Sequence, residues 1–135
     1  MNPATLVWTY LIIGLAVLVY TYTLLAAGRA RRRAGIKSPA MIGDTTMERA
    51  LRVQQNTLEQ LVAFVPSIVL FAVLVNARTA AGLGALWIAG RILYIGLYMR
   101  DPGSRAPAFL LAFVPQIILT LGAVMGAISA ILRVG

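Results

Sequence analysis

From residue 5 to residue 27 the chain runs without a charged side chain. As a helix this stretch rises about 34 Å, enough to cross the roughly 30 Å hydrocarbon core of a bilayer. Three further stretches repeat the pattern with at most one arginine inside the apolar part. Backbone amides find no water in hydrocarbon, so segments this long and apolar must bond internally as helices. The expectation is an all-α integral membrane protein, one domain over residues 1–135. Its four transmembrane helices are placed at about 5–27, 45–76, 83–99 and 107–132. Composition agrees: 60% of residues are hydrophobic and only 12% charged, too little polar surface for a soluble domain.

The net charge of +8 does not point to nucleic acid. The positive residues gather beside the spans: Arg29, Arg31, Arg32, Arg33 and Lys37 after the first, Arg100 and Arg105 after the third. The opposite side carries only Arg78 and Arg133. This asymmetry predicts that loops 28–44 and 100–106 are cytoplasmic and that both termini lie across the membrane. A bacterial inner membrane or the endoplasmic reticulum would suit it. The first span is expected to be retained, since its arginines follow it and no basic leader precedes it. With no cysteine, no histidine and four acids, neither a disulfide, a catalytic thiol nor a metal centre is expected.

Local signals set the expected boundaries. Gly28 is read as the end of the first helix, with Gly35, Pro39 and Gly43 keeping the following segment irregular. Thr45 and Glu48 form a capping-box pattern that starts the second. Pro66 and Pro115 are expected to kink their helices at most. Residues 77 to 82 are read as a tight turn. Gly122 and Gly126 make a GxxxG whose role is close packing.

The second helix carries a polar stripe. Arg52, Asn56 and Glu59 recur at i, i+4 and i+7 and share one face, with Gln54, Gln55 and Gln60 around them. The uncharged run beyond Glu59 spans roughly 27 Å, which places Glu59 at the edge of the apolar slab and Arg52 about 10 Å outside it. Charge at such depth is costly and faces a protein interior or a polar cavity. On the third helix Arg91, Tyr94 and Tyr98 also align at i, i+3 and i+7, and Arg105 follows. Tyrosines here can serve as interfacial anchors. Together with the arginines at the same level, they also suit an anionic, peptide-like ligand whose carboxylates guanidinium forks would hold.

The segment Glu48-Arg49-Ala50-Leu51-Arg52-Val53-Gln54-Gln55-Asn56-Thr57-Leu58-Glu59 is similar to the R-x-x-x-N-x-x-E signature of the MAPEG family, the membrane-associated proteins of eicosanoid and glutathione metabolism. The segment from Gly90 to Tyr98, with Arg105 seven residues beyond, resembles its second motif region. The resemblance covers essentially the whole chain and is nearest to the microsomal glutathione transferases. It implies a homotrimer of four-helix subunits, with glutathione as co-substrate bound between neighbours. Arg52, Gln54, Asn56 and Glu59 would hold the tripeptide from one subunit, and Tyr94 and Tyr98 would approach from the next. Arg105 matches the arginine that stabilises the glutathione thiolate, and Arg31 matches a glutathione-contacting arginine. The implied activity is glutathione transfer or peroxidase chemistry on a lipophilic electrophile or lipid, a detoxification role among membrane lipids, with no metal. A non-catalytic, lipid-binding member is the alternative. Leukotriene-making members carry tyrosine after the motif glutamate, where this chain has Gln60. Small multidrug transporters also have four short spans, but they depend on a glutamate in the first helix, which is absent here.

Overall fold

A computed structural model describes residues 3–135 as four long α-helices joined by short links: α1 (Pro3–Ala34), α2 (Thr45–Leu74), α3 (Ala77–Arg100) and α4 (Ala106–Val134), with one 3₁₀ turn at Pro102–Ser104. All four are long and apolar enough to cross a membrane. Both α2 and α3 pack against all three other helices, leaving α1 and α4 at opposite corners of an antiparallel bundle.

Several boundaries differ from those read in the sequence. Helix α1 does not stop at Gly28 but runs on to Ala34 and carries Arg29 to Arg33 as helical residues. Arginine is a good helix former, and cations in a last turn complement the negative end of the helix dipole. The chain leaves the helix at Gly35, whose φ of +68° suits glycine. Helix α2 does start at Thr45, but the N-cap is Asp44, whose carboxylate accepts from the Met47 amide at 2.8 Å. Glu48 completes the cap by accepting from the Gly43 amide at 2.8 Å. The residues read as a tight turn, 77 to 82, are the first turns of α3. The reversal takes only Val75 and Asn76, and the Asn76 side chain accepts from the Thr79 amide at 2.9 Å. Pro66 and Pro115 sit inside unbroken helices.

Alanine dominates the interior, which lets the helices approach closely around Phe64 and Trp87, whose rings stack with centroids 4.1 Å apart. A Cβ added at Gly90 would lie 2.5 Å from the Ala112 backbone nitrogen, and one at Gly122 would strike the Phe71 ring. Leucine, isoleucine and valine side chains on all four helices point outward instead, as an apolar solvent allows. Two polar ties set the vertical register. Thr9 donates to the Ala77 carbonyl (3.2 Å) at one end, and Arg49 donates to the Met99 and Arg100 carbonyls (3.0 Å each) at the other. The second tie satisfies the open carbonyls that end α3. The end of α1, the start of α2, the end of α3 and the start of α4 therefore meet at one basic pole.

Candidate functional site

At that pole a cavity of about 290 Å³ opens between α2, α3 and the start of α4, lined by Arg52, Gln55, Asn56, Glu59, Tyr94, Tyr98 and Arg105. This is near the small end of ligand-site volumes. One protomer supplies all of these side chains. Within this one chain the α2–α3 packing sets Tyr94 and Tyr98 beside Arg52 and Asn56, whereas the family resemblance implied an approach from a neighbouring subunit. Residue spacing identifies a face on each helix but does not say which faces meet.

Behind the cavity lies Arg91, fully buried. Its guanidinium donates to Asn56 Oδ1 at 2.9 Å and to Thr57 Oγ1 at 2.7 Å, and lies 4.2 Å from the Tyr94 ring centroid. Thr57 in turn donates to the Val53 carbonyl at 2.7 Å. Arginine can only donate, so the Asn56 carboxamide must present its oxygen to Arg91 and keep its N–H2 for the cavity. Among the described residues no carboxylate pairs with Arg91, and its Nε has no hydrogen-bond partner. The cation is held by neutral dipoles and an aromatic face.

Along the mouth, Arg52 and Glu59 do not pair directly. Gln55 stands between them, accepting from Arg52 at 3.5 Å and donating to Glu59 at 3.3 Å. Both distances are long, so the charged heads keep most of their bonding capacity. Opposite them the Tyr94 and Tyr98 rings stack at 5.5 Å. The Arg105 guanidinium lies 5.9 Å from the Tyr98 centroid while donating to the Pro102 carbonyl at 2.6 Å. Asp101 turns its carboxylate into the 3₁₀ turn, accepting from the Gly103 amide at 3.0 Å. With Arg52 and Arg105 lining it, Arg91 buried behind it and one glutamate, the cavity favours an anion that also offers a group for Glu59 to accept from.

Two expected site residues fall elsewhere. Arg31 donates to the Ala40 carbonyl at 2.6 Å, and neither it nor Gln54 lines the cavity. Gln60, which flanks the stripe in sequence, is only 7% exposed and does not line the cavity either. Gln55 is the flanking residue that does. Thr57 joins the site only through its arginine partner, since in the sequence a β-branched residue on an apolar face reads as packing. No metal-binding group of His, Cys, Asp and Glu side chains occurs among the described residues.

Residues 9–125 match the model of the MAPEG family. The chain belongs to that family. It is 42% identical to an uncharacterized protein of Synechocystis sp. over 125 residues, 93% of this chain and 91% of the relative. It is 30% identical to microsomal glutathione S-transferase 2 of Homo sapiens over 112 residues, covering 83% of this chain and 76% of the relative. With the Mus musculus protein of the same name it shares 34% over 106 residues, 78% and 72% respectively. Its family and its four apolar helices make it a multi-pass integral membrane protein.

Proposed function

We propose that this MAPEG protein is a membrane-bound glutathione S-transferase with accompanying peroxidase activity on lipophilic substrates. The observation that carries the reading is the cavity itself: Arg52, Asn56, Glu59, Tyr94, Tyr98 and Arg105 converge at the basic pole of the bundle. The names of the human and mouse relatives support the same chemistry.

In this reading Arg52 holds a glutathione carboxylate, Glu59 accepts from its ammonium group, and the Asn56 N–H2 donates to a peptide carbonyl. Tyr94 and Tyr98 wall the peptide. Arg105 stabilises the thiolate, the form that reacts. A free thiol has a pKa of about 8.5, and an adjacent guanidinium lowering it by one to two units corresponds to about 1.4–2.7 kcal/mol. In transfer, the thiolate sulfur attacks an electrophilic carbon. A C–S bond forms, the leaving group departs with its electron pair, and the thiol proton has already gone to solvent. In the peroxidase reaction sulfur attacks the O–O bond, the hydroperoxide leaves as alcohol, and the sulfenic acid condenses with a second glutathione to give disulfide and water. Glutathione enters from water and the apolar partner from the bilayer, which meet at this level.

Arg31 and Gln54, which lie outside the single-chain cavity, complete the site from the adjacent subunit of a homotrimer. The basic pole faces the cytoplasm and both termini lie across the membrane. Stopped-flow ultraviolet spectroscopy tests the assignment. Mixing the purified protein with glutathione is expected to raise a thiolate absorbance that an aryl halide then consumes. Arg105→Ala is expected to abolish that absorbance while equilibrium dialysis still detects bound glutathione. Wild-type turnover in this variant would remove Arg105 from the mechanism, and a protein that never forms the thiolate would be a lipid-binding member instead.

A further inference from the structure

The continuation of α1 to Ala34 has a consequence on the other side of the bundle. Arg29 and Arg33 stand one turn apart on α1, and Arg29 lies over Tyr22, 6.0 Å from its ring centroid. Both arginines line a cleft of about 440 Å³ between α1, the start of α2 and the end of α3, with Thr46 on its wall. This cleft shares Tyr22 and Ile95 with an apolar groove of about 640 Å³ that follows α1 and α3 away from the pole past Leu18, Ile92 and Gly96. Neither shares a lining residue with the cavity assigned to glutathione.

We propose that the α1–α3 face is a binding site for an anionic phospholipid, its phosphate at Arg29 and Arg33 and one acyl chain in the groove below. The arrangement is amphipathic in the right order, with a guanidinium pair at the polar boundary and an apolar channel directly beneath. Asp44 also lines the cleft, but its carboxylate caps α2 through the Met47 amide, and neither arginine has an ion-pair partner among the described residues. Guanidinium forks match phosphate oxygens, and the adjacent Thr46 hydroxyl can donate to a third. A second copy of the chain is the poorer occupant, since the same level of its surface is crowded with Arg29, Arg31, Arg32, Arg33 and Lys37. Gly96 keeps the groove open: a Cβ there would meet nothing within 4 Å.

Native mass spectrometry of the full-length detergent-solubilised protein tests this site, using phosphatidylglycerol and phosphatidylcholine with identical chains. Phosphatidylglycerol is expected to be retained preferentially. Arg29→Gln with Arg33→Gln should lower its retention about tenfold, since each cation near a membrane surface contributes several-fold to affinity for anionic lipid. Gly96→Leu should displace both lipids by filling the groove, and Arg133→Gln at the opposite pole should change nothing. Equal retention of the two lipids by the wild-type protein would overturn the proposal, as would undiminished binding in the double variant or in Gly96→Leu. A change of subunit number in the same spectra of Gly96→Leu would also overturn it, by making the groove an interface between copies. Glutathione binding is expected to survive in all these variants, so the outcome is independent of the function proposed above.

Discussion

Arg91 shows how one side chain can organise a site it does not line. Burying a cation at the level of hydrocarbon costs on the order of 3 kcal/mol even on lenient insertion scales. Here the cost is offset by Asn56, Thr57 and the Tyr94 face. The fork geometry matters more than the charge, because two nitrogens must reach two acceptors on successive α2 residues. Arg91→Lys keeps the charge but loses one of these bonds and frees the Asn56 amide to rotate. It is expected to raise the glutathione Kd about tenfold while kcat at saturating glutathione stays within about threefold of wild type. Isothermal titration and a KM-against-kcat comparison would check this, and equal losses in both terms would place Arg91 in the chemistry instead. The sequence placed Arg91 on the same face as Tyr94 and Tyr98, but its complete burial and its two α2 acceptors follow only from how α3 packs on α2.

The glycines divide by what faces them. Gly90 lets α3 lie against the α4 backbone at Ala112, and Gly122 receives the Phe71 ring of α2. Gly90→Val and Gly122→Leu are each expected to destabilise the bundle by about 1–3 kcal/mol, the usual cost of overpacking. Gly96→Leu, facing open space, should be neutral or mildly stabilising through better helix propensity. Thermal unfolding in detergent followed by circular dichroism separates the cases, and a Gly90→Val variant as stable as wild type would mean that the α3–α4 crossing adapts. Spacing alone suggested close packing for the GxxxG row, and the structure assigns Gly126 of that row to Leu74 and Val75 at the end of α2. The reversal at Val75 and Asn76 has a weaker signature in the sequence. Ala77 to Gly82 is rich in small residues and resembles a linker until the Asn76 cap is recognised.

Across the whole molecule, polarity is segregated by height. Ties at Thr9 and Arg49 fix the two ends, an alanine-rich interior fills the middle, and the apolar exterior meets lipid. Because Arg31 and Gln54 lie outside the single-chain cavity, an oligomer that uses them must bring them from another copy. Co-expression of Arg31→Ala and Arg105→Ala chains provides the test. Each variant alone should be inactive, but random mixing would leave about a quarter of inter-subunit sites with both arginines intact. Activity near that fraction in the mixture would support a shared site, and none at all would confine it to one chain.

The membrane class, the four spans, the basic pole and the two polar faces are all legible in the sequence. These follow from hydropathy, charge asymmetry and helical period, which act locally along the chain. Helix packing is what brings the α2 and α3 faces together within one protomer, buries Arg91 behind Asn56 and turns Arg31 to the Ala40 carbonyl. Those outcomes depend on helix rotation and crossing, set by where Gly90, Gly122 and the interior alanines allow close approach. They also depend on caps such as Asp44 and Asn76, where one side-chain bond decides whether a short segment is loop or helix.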